Sequence, residues 1–341
     1  MITTPTVFVL GAGTSIPYGF PSGKGLVDHI CEATRERNTY LPSIPDDSRY
    51  LISRKQVKKI LIKTFGEKDT RNFGNTLFSS QQLSIDAFLE HRPEFAEIGK
   101  LAISLLILRK EMNEDLFGLN NRSKGCYQYL FSKLNTNWED FKQNRVGFIS
   151  FNYDRSLEHF LFTSLQHTYN KLDSECADQL SQIPIIHVHG SLGNLQWQDM
   201  DGVPYGTIRK STSLNRFKFN TKLGVAAAEQ IRVYAENQSA EEFQKAFQLL
   251  SQAENIYFLG FSYHQSNMAR LNLTSIPKII NLRTKLANIT TMAPIQMTHL
   301  KGSGFGMEEG EIGSVERKWL VKIPDNTSDS LLFLRKYVDF E

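Results

Sequence analysis

A short glycine loop near the start of the chain has residue types that could bind phosphate. Gly11-Ala12-Gly13-Thr14-Ser15 follows the apolar, β-branched stretch Thr6-Val7-Phe8-Val9-Leu10, which predicts a buried parallel strand ending in a tight turn. Glycines at this place let the backbone approach a phosphate group, whose charge the amide N–H groups can meet. Taken alone, the loop is compatible with a nucleotide site and with an ordinary tight turn.

Further segments resemble one family in chain order and favour the nucleotide site. The stretch GAGTSIPYGFPSG, from Gly11 to Gly23, resembles the opening motif of the sirtuin family in residue type and spacing. The later segments that resemble sirtuin motifs are Phe151-Asn152-Tyr153-Asp154 (the N-I-D segment), His189-Gly190-Ser191 (the catalytic H-G), Gly260-Phe261-Ser262 (the G-T-S segment) and Ile280-Asn281 (a late strand-end asparagine). The chain therefore resembles a sirtuin-like NAD-binding protein.

The resemblance implies a role for each matching residue. Cleavage of the N-glycosidic bond to nicotinamide creates an oxocarbenium-like centre, which needs a positioned nucleophile and little help for the leaving group. By resemblance, Asn152 orients a water or ribose hydroxyl, His189 acts as general base, and Asp154 hydrogen-bonds the nicotinamide carboxamide. The remaining cofactor-binding residues implied are Gly11, Ala12, Gly13, Ser15, Gly260, Ser262 and, at the adenosine ribose, Asn281.

The same residues also have a purely structural interpretation. Asn152 and Asp154 could form an Asx-type turn after their strand, and His189 could be a core histidine with satisfied hydrogen bonds. His187 is expected on the same strand face as His189, but the glycine after His189 makes His189 the better match. We expect Asn152 and His189 at strand ends rather than in the core.

The chain departs from the protein-deacylating sirtuins at their zinc ligands. Its three cysteines, Cys31, Cys126 and Cys176, lie far apart, without a CxxC pair or a Cys/His cluster of metal-site spacing. An aromatic-arginine pair is also missing, because Ser22-Gly23-Lys24 stands in its place. We therefore expect no zinc and no peptide deacylation, whereas the resemblance implies NAD as a substrate.

The stretch SIDAFLE, from Ser84 to Glu90, resembles a segment of a bacterial sirtuin-like branch in which a helical insertion replaces the zinc module. Members of that branch are commonly NAD-hydrolysing effectors of anti-phage defence. The resemblance implies an NAD glycohydrolase, controlled by homo-oligomerisation or by a separate partner such as a HerA-like ATPase or a sensor protein. A non-catalytic NAD- or ADP-ribose-binding subunit and a protein ADP-ribosyltransferase or deacylase remain the alternatives.

The elements that would position these residues alternate between strands and helices. Strands are predicted at 146–151, 183–188, 255–260 and 277–281, with a helix at about 240–253 and a surface loop at 302–306. The pattern predicts an α/β fold with a Rossmann-like, doubly wound, mostly parallel sheet. Residues 1–23 and 145–335 would form the NAD-binding core of a single domain spanning 1–341, and the helical spacing over 24–140 predicts a helical insertion.

Composition and charge add few constraints. The formal charge is +3, from 39 basic and 36 acidic residues, so nucleic acid is not directly indicated as a partner. The first residues lack the pattern of a signal peptide, and the apolar stretch from Ile98 to Leu108 falls short of the roughly 20 residues that span a bilayer. We expect a cytoplasmic protein without membrane association.

Overall fold

The computed structural model describes residues 1–35, 52–119, 124–206, 221–233, 238–276 and 299–340. Within these ranges, five strands form one parallel sheet in the order β3-β2-β1-β4-β5. The strands are β1 (Thr6–Leu10), β2 (Val146–Ser150), β3 (Ile185–His187), β4 (Asn255–Leu259) and β5 (His299–Gly302). The chain builds outward from β1 to β3 and then returns to place β4 on the other side of β1. This is the Rossmann-like α/β topology, with its switch point between β1 and β4.

The segment between β1 and β2 is a helical insertion. Its α-helices are α1 (Gly23–Thr34), α2 (Arg54–Phe65), α3 (Glu67–Ser79), α4 (Ile85–His91), α5 (Ala96–Leu108), α6 (Asn113–Phe117) and α7 (Tyr127–Leu134). Serine side chains cap three of the helix starts. Ser22 accepts from the N–H of Gly25 at α1, Ser53 forms a capping box with Gln56 at α2, and Ser84 accepts from the N–H of Asp86 at α4. Helix α5 is mostly apolar, and its residues from Ile98 to Leu108 are all buried.

Helices cover both faces of the sheet. The remaining α-helices are α8 (Ser156–Tyr169), α9 (Asp173–Ser181), α10 (Thr221–Gln230), α11 (Gln238–Gln252), α12 (Gln265–Arg270), α13 (Glu309–Trp319) and α14 (Ser330–Tyr337). Phe8 and Leu10 of β1 pack in one core with the insertion, α8 and α14, whereas Val7 and Val9 pack in a second core with α11, α12 and α13. Alternate side chains of one central strand thus serve opposite layers, which confirms the doubly wound arrangement.

The fifth strand lies where the sequence predicted no strand. Pairing of β5 with β4 extends the sheet at His299–Gly302, and the N–H of Lys322 also donates to the carbonyl oxygen of Leu300. The strand HLKG is short and half polar because it lies at the sheet edge, so it lacks the apolar pattern on which the prediction depended. The strand predicted at 277–281 lies outside the described residues.

The apolar helices do not reach membrane-spanning length. In the described part of the chain, no helix is both long and apolar enough to cross a bilayer.

Candidate functional site

The predicted site residues converge at the carboxyl edge of the sheet. Leu10 at the end of β1 is in register with Ser150 of β2 and Leu259 of β4, so the loops after these three strands start side by side. Here "the crevice" means the space bounded by loops 11–15, 151–154 and 260–263. It lies at the topological switch point, where open α/β sheets bind their ligands.

The glycine loop and the loop after β4 interlock at van der Waals distance. The N–H groups of Gly11 and Gly13 donate to the carbonyl oxygens of Leu259 and Gly260, both at 2.9 Å. A Cβ on Gly13 would lie 2.6 Å from the Cα of Gly260, and one on Gly260, whose φ is +56°, would lie 2.4 Å from the N of Thr14. Glycine is thus required for the contact between the two loops. The amides of Gly11 and Gly13 shape the loop, while Ala12 and Ser15 line a small cavity beside it.

The carboxamide of Asn152 is held in one orientation over the glycine loop. Its Nδ2 lies 3.1 Å from the carbonyl oxygen of Gly11, 3.2 Å from Thr14 Oγ1 and 3.1 Å from Ser15 Oγ. The residue is only 8% exposed, and its Oδ1 has no hydrogen-bonding partner among the described residues. The three contacts of Nδ2 therefore leave a buried acceptor directed away from the loop.

His189 is buried against aromatic rings. It is 2% exposed, and its ring centroid lies 5.5 Å from that of Phe151, 6.4 Å from that of Tyr153 and 5.8 Å from that of Phe243 on α11. Its Nε2 is buried without a hydrogen-bonding partner in the described ranges. The expectation that Asn152 and His189 lie outside the core is wrong, because α11 and the insertion cover these strand ends.

A tight backbone turn explains the glycine that follows His189. Gly190 has a φ of +67°, and a Cβ there would lie 2.1 Å from the carbonyl oxygen of Gln230. The N–H of Arg232 donates to the carbonyl oxygen of His189 at 2.8 Å. The end of α10 therefore packs directly on the His189-Gly190 backbone and fixes its position.

Asp154 lies in a buried polar network. Its Oδ1 accepts from the N–H of Ser156 at 3.1 Å and also from the Ser156 hydroxyl. Tyr127 of α7 brings its hydroxyl to 3.3 Å from Ser15 Oγ and 3.0 Å from Ser156 Oγ. Burial raises the pKa of Asp154, against the opposing effect of these hydrogen bonds. The Asx-type interpretation is thus realised at Asp154, which also lines the cavity.

His187 is the histidine with satisfied hydrogen bonds. Its Nδ1–H donates to the carbonyl oxygen of Asn152 at 2.8 Å, and its Nε2 pairs with Glu158 of α8. Burial alone would lower the pKa of His187, but the Glu158 carboxylate raises it to about 9. The prediction that His187 and His189 share a strand face is wrong, because β3 ends at His187 and the chain then turns.

A buried ion pair holds the loop that follows His189. Arg155 donates from Nε and Nη2 to the two carboxylate oxygens of Glu111, at 2.9 and 2.7 Å. Its Nη1 donates to three backbone carbonyl oxygens, those of Gly193, Asn194 and Val203. Burial opposes the charge of Arg155, but Glu111 raises its pKa above the ordinary value, so the guanidinium stays charged.

Helix α4 of the insertion is tied to both sides of the crevice. Asp86 accepts a hydrogen bond from the Tyr153 hydroxyl in the loop after β2, and Glu90 forms a 2.6 Å ion pair with Arg270 of α12, which follows β4. Ser84, Ile85 and Asp86 line the small cavity together with Ala12, Ser15, Asn152 and Asp154. The cavity volume is about 60 Å³, well below the roughly 300–1,000 Å³ of sites that enclose a small-molecule ligand.

A larger cavity lies away from the predicted site. Its volume is about 570 Å³, and it lies between α6, α7 and α8. Tyr18 lines it and stacks on Tyr127 with ring centroids 4.4 Å apart, but none of the predicted site residues is among its lining residues. The residues that the sequence predicts to carry the chemistry therefore do not line this cavity, although two histidines, His159 and His167, do.

Three of the eight predicted cofactor-binding residues, Ala12, Ser15 and Asp154, line the small cavity. Ser262 is exposed in the loop after β4, beside Phe261, whose ring packs 4.8 Å from that of Phe151. Asn281 lies outside the described residues. The structure thus brings together Gly11, Ala12, Gly13, Ser15, Asn152, Asp154 and Gly260, with His189 in contact with the aromatic residues on either side of Asn152.

Several residues of the site were given no role by the sequence, although one of them, Asp86, lies in the stretch SIDAFLE that resembles the defence branch. Tyr127, Asp86 and Glu111 come from the insertion, whose helical spacing does not show which side chains meet the sheet edge. His187 had a signal, since it lies in a predicted strand two residues before the matching histidine.

In the described ranges, no group of three or more His, Cys, Asp or Glu side chains is arranged so that it could hold a metal ion. The three cysteines are unpaired and buried, and burial raises the pKa of Cys31 to about 11 and that of Cys126 to about 12. These two thiols therefore stay protonated at neutral pH.

Comparison with known proteins assigns neither a family nor a function to the chain. It matches no protein-family model and none of the curated proteins.

Proposed function

We propose that this chain is a sirtuin-like NAD glycohydrolase that cleaves NAD to nicotinamide and ADP-ribose. By its sequence resemblance to the bacterial defence branch, we assign it to the cytoplasm as an effector that depletes NAD during phage infection. The proposal takes its chemistry from the crevice and its biological setting from the resemblance.

The observation that carries the proposal is a pair of buried, unmet polar atoms. Asn152 Oδ1 and His189 Nε2 have no hydrogen-bonding partners in the part of the chain that the structure describes. A buried polar atom without a partner costs about 1–3 kcal/mol, so such atoms at a strand-end crevice are best explained by a ligand that completes them. A water or ribose hydroxyl is the group that an amide oxygen and an imidazole nitrogen would orient together.

The proposed reaction is a hydrolysis with a simple balance of atoms. Water attacks C1′ of the nicotinamide ribose while the bond from C1′ to the nicotinamide nitrogen breaks, and nicotinamide leaves as a neutral molecule. Asn152 Oδ1 accepts a hydrogen bond from the attacking water, and His189 Nε2 takes the proton that the water loses. Ala12 and Ser15 line the cavity beside the glycine loop, and we propose that they contact the diphosphate.

The direct test is incubation of the purified chain with NAD, followed by chromatography. We expect nicotinamide and ADP-ribose in equal amounts. Tight binding of NAD without products, with and without a partner protein, would instead support a non-catalytic nucleotide-binding subunit. An ADP-ribosylated protein, or an acyl group transferred to ADP-ribose, would point to the transferase or deacylase alternatives.

We further propose that the site is held closed until self-association or a partner opens it. The support is the position of α4, which bridges both sides of a cavity too small for a dinucleotide. A homo-oligomer, a HerA-like ATPase or a sensor protein could displace α4 only by binding the open arrangement more tightly than the closed one. Mass in solution and NAD turnover, measured over a protein concentration series, test this control.

The Glu90→Gln variant is expected to raise basal NAD turnover by about two- to fivefold. The substitution removes the ion pair with Arg270, and a partly exposed pair contributes about 0.2–1 kcal/mol to the closed position of α4. Initial rates at a fixed NAD concentration measure the effect. The matched control is Glu94→Gln, which breaks the exposed pair with Arg92 and should leave the rate unchanged. Equal rates in Glu90→Gln and wild type would contradict the closing role of α4.

A further inference from the structure

The backbone of Asn152 is held by Ser150 and His187, two residues that the proposed chemistry does not use. Its N–H donates to Ser150 Oγ at 3.1 Å, and its carbonyl oxygen accepts from His187 Nδ1 at 2.8 Å. On the other side of the ring, Nε2 of His187 contacts the carboxylate of Glu158. The chain of contacts therefore runs from α8, through the end of β3, to the residue that carries the candidate catalytic amide.

The chemistry of the two acceptors defines the protonation of His187. A backbone carbonyl oxygen can only accept a hydrogen bond, so Nδ1 must carry a proton. Nε2 faces the buried carboxylate of Glu158, whose negative charge favours a proton on Nε2 over a lone pair there. The Glu158 carboxylate raises the pKa of His187 to about 9, although burial acts in the opposite direction. His187 is accordingly an imidazolium ion at neutral pH.

Other charges around the pair favour its ionised form. Asp154, which precedes α8, also raises the pKa of His187, and Arg155 lowers that of Glu158. Arg155 is itself paired with Glu111 from the insertion. The side chains of His187 and Glu158 are only 12% and 5% exposed, so solvent screens their attraction weakly.

We propose that His187 and Glu158 are a positioning pair that holds the Asn152 backbone so that its carboxamide oxygen points at the reacting ribose. The inference rests on the proposed function and adds two residues that need not touch the substrate. Asn152 follows the end of β2 and is held there at three points. Its backbone N–H, its backbone carbonyl oxygen and its side-chain Nδ2 all have hydrogen-bonding partners.

Two substitutions separate positioning from catalysis. His187→Gln keeps a donor near the carbonyl oxygen but loses the charge, and Glu158→Gln removes the carboxylate that keeps His187 charged. For both variants we expect kcat for NAD cleavage to fall by about ten- to a hundredfold with KM within about threefold of wild type, because misplacement of a reacting group mainly affects the transition state. His167→Gln, an exposed histidine in the last turn of the same α8, is the matched control and should retain wild-type kcat.

The pH profile provides a second readout. Wild-type kcat should decline as the pH rises through about 9, where His187 loses its proton. Glu158→Gln should move this decline to lower pH, because the carboxylate that raises the pKa of His187 is gone. The stability contribution has the same sign: it is complete below the unfolded pKa of about 6.5 and is lost as the pH rises through about 9.

A measurement that needs no turnover keeps this inference separate from the proposed function. The side-chain amide signal of Asn152, assigned by its loss in Asn152→Ala, should move toward the position of a solvated amide in His187→Gln and stay unchanged in His167→Gln. An unchanged Asn152 signal in folded His187→Gln, or an unchanged kcat, overturns the positioning role. If wild-type protein shows no NAD cleavage, the proposed function fails and the amide signal alone decides whether the pair positions Asn152.

Discussion

Replacement of Asn152 by alanine is expected to reduce NAD cleavage by about 10²–10⁴-fold, the range typical for loss of a positioned group that acts on a proton transfer. The reason is geometric. Three contacts of Nδ2 leave Oδ1 as the free hydrogen-bonding atom of the side chain, so no other atom of Asn152 can orient the nucleophile. We expect the loss in kcat rather than in KM, because the amide acts on the reacting water and not on the cofactor's phosphates.

The fold should survive this substitution. Two of the three acceptors that lose Nδ2 are hydroxyl groups, Thr14 and Ser15, which keep other partners: Thr14 Oγ1 donates to the carbonyl oxygen of Gly11, and Ser15 Oγ lies near Tyr127. Circular dichroism and a thermal unfolding curve check the fold, and titration with NAD checks binding. The control is Asn72→Ala on the exposed side of α3, which should match wild type in every assay.

His189→Ala should show the same pattern, with a loss of similar size. A folded Asn152→Ala or His189→Ala protein that turns over NAD at the wild-type rate would falsify the assignment of that residue. A variant that no longer binds NAD would instead show that the residue serves the cofactor.

Local spacing in the sequence was enough to predict the strands whose ends form this sheet edge, and the family resemblance singled out the residues that follow them. The glycine loop follows an apolar stretch that predicts a buried strand, and Gly260 follows another. Parallel pairing of these two strands brings the two loops side by side. The structure adds the reason for the glycines: the two loops touch through Gly13 and Gly260, where a Cβ cannot fit. The phosphate-binding role of this loop stays a prediction.

The support around the site could not be predicted from the sequence, because it depends on contacts between distant segments. The period of α4 and α5 indicates helices, but no local rule shows that Asp86 meets Tyr153 or that Glu111 meets Arg155. The two histidines show a different difficulty. Strand alternation places His187 and His189 on one face only if β3 continues, and the actual strand end at His187 separates their surroundings.

The substitution Glu111→Ala is expected to lower the free energy of unfolding by about 3–5 kcal/mol, because it leaves the buried Arg155 guanidinium without its carboxylate. Both side chains are 1% exposed, so water cannot replace the missing partner without opening the structure. The loop from Gly193 to Val203, which Arg155 holds through three carbonyl oxygens, should become protease-sensitive first. This loop follows His189, so NAD cleavage should fall as well.

Urea unfolding of three variants tests whether this cost comes from an uncompensated charge. Glu111→Ala should be the least stable. The double variant Glu111→Leu with Arg155→Met should recover part of the loss, since it removes both charges, but not all of it, since the three carbonyl oxygens lose their donor. Glu67→Ala, which breaks the exposed pair with Arg71 on α3, should change stability little. If Glu111→Ala does not fold, Glu111→Gln, which keeps one acceptor for Arg155, takes its place. A loss below about 1 kcal/mol in Glu111→Ala would mean that Arg155 finds other compensation, and the ion pair would not be what secures the loop after His189.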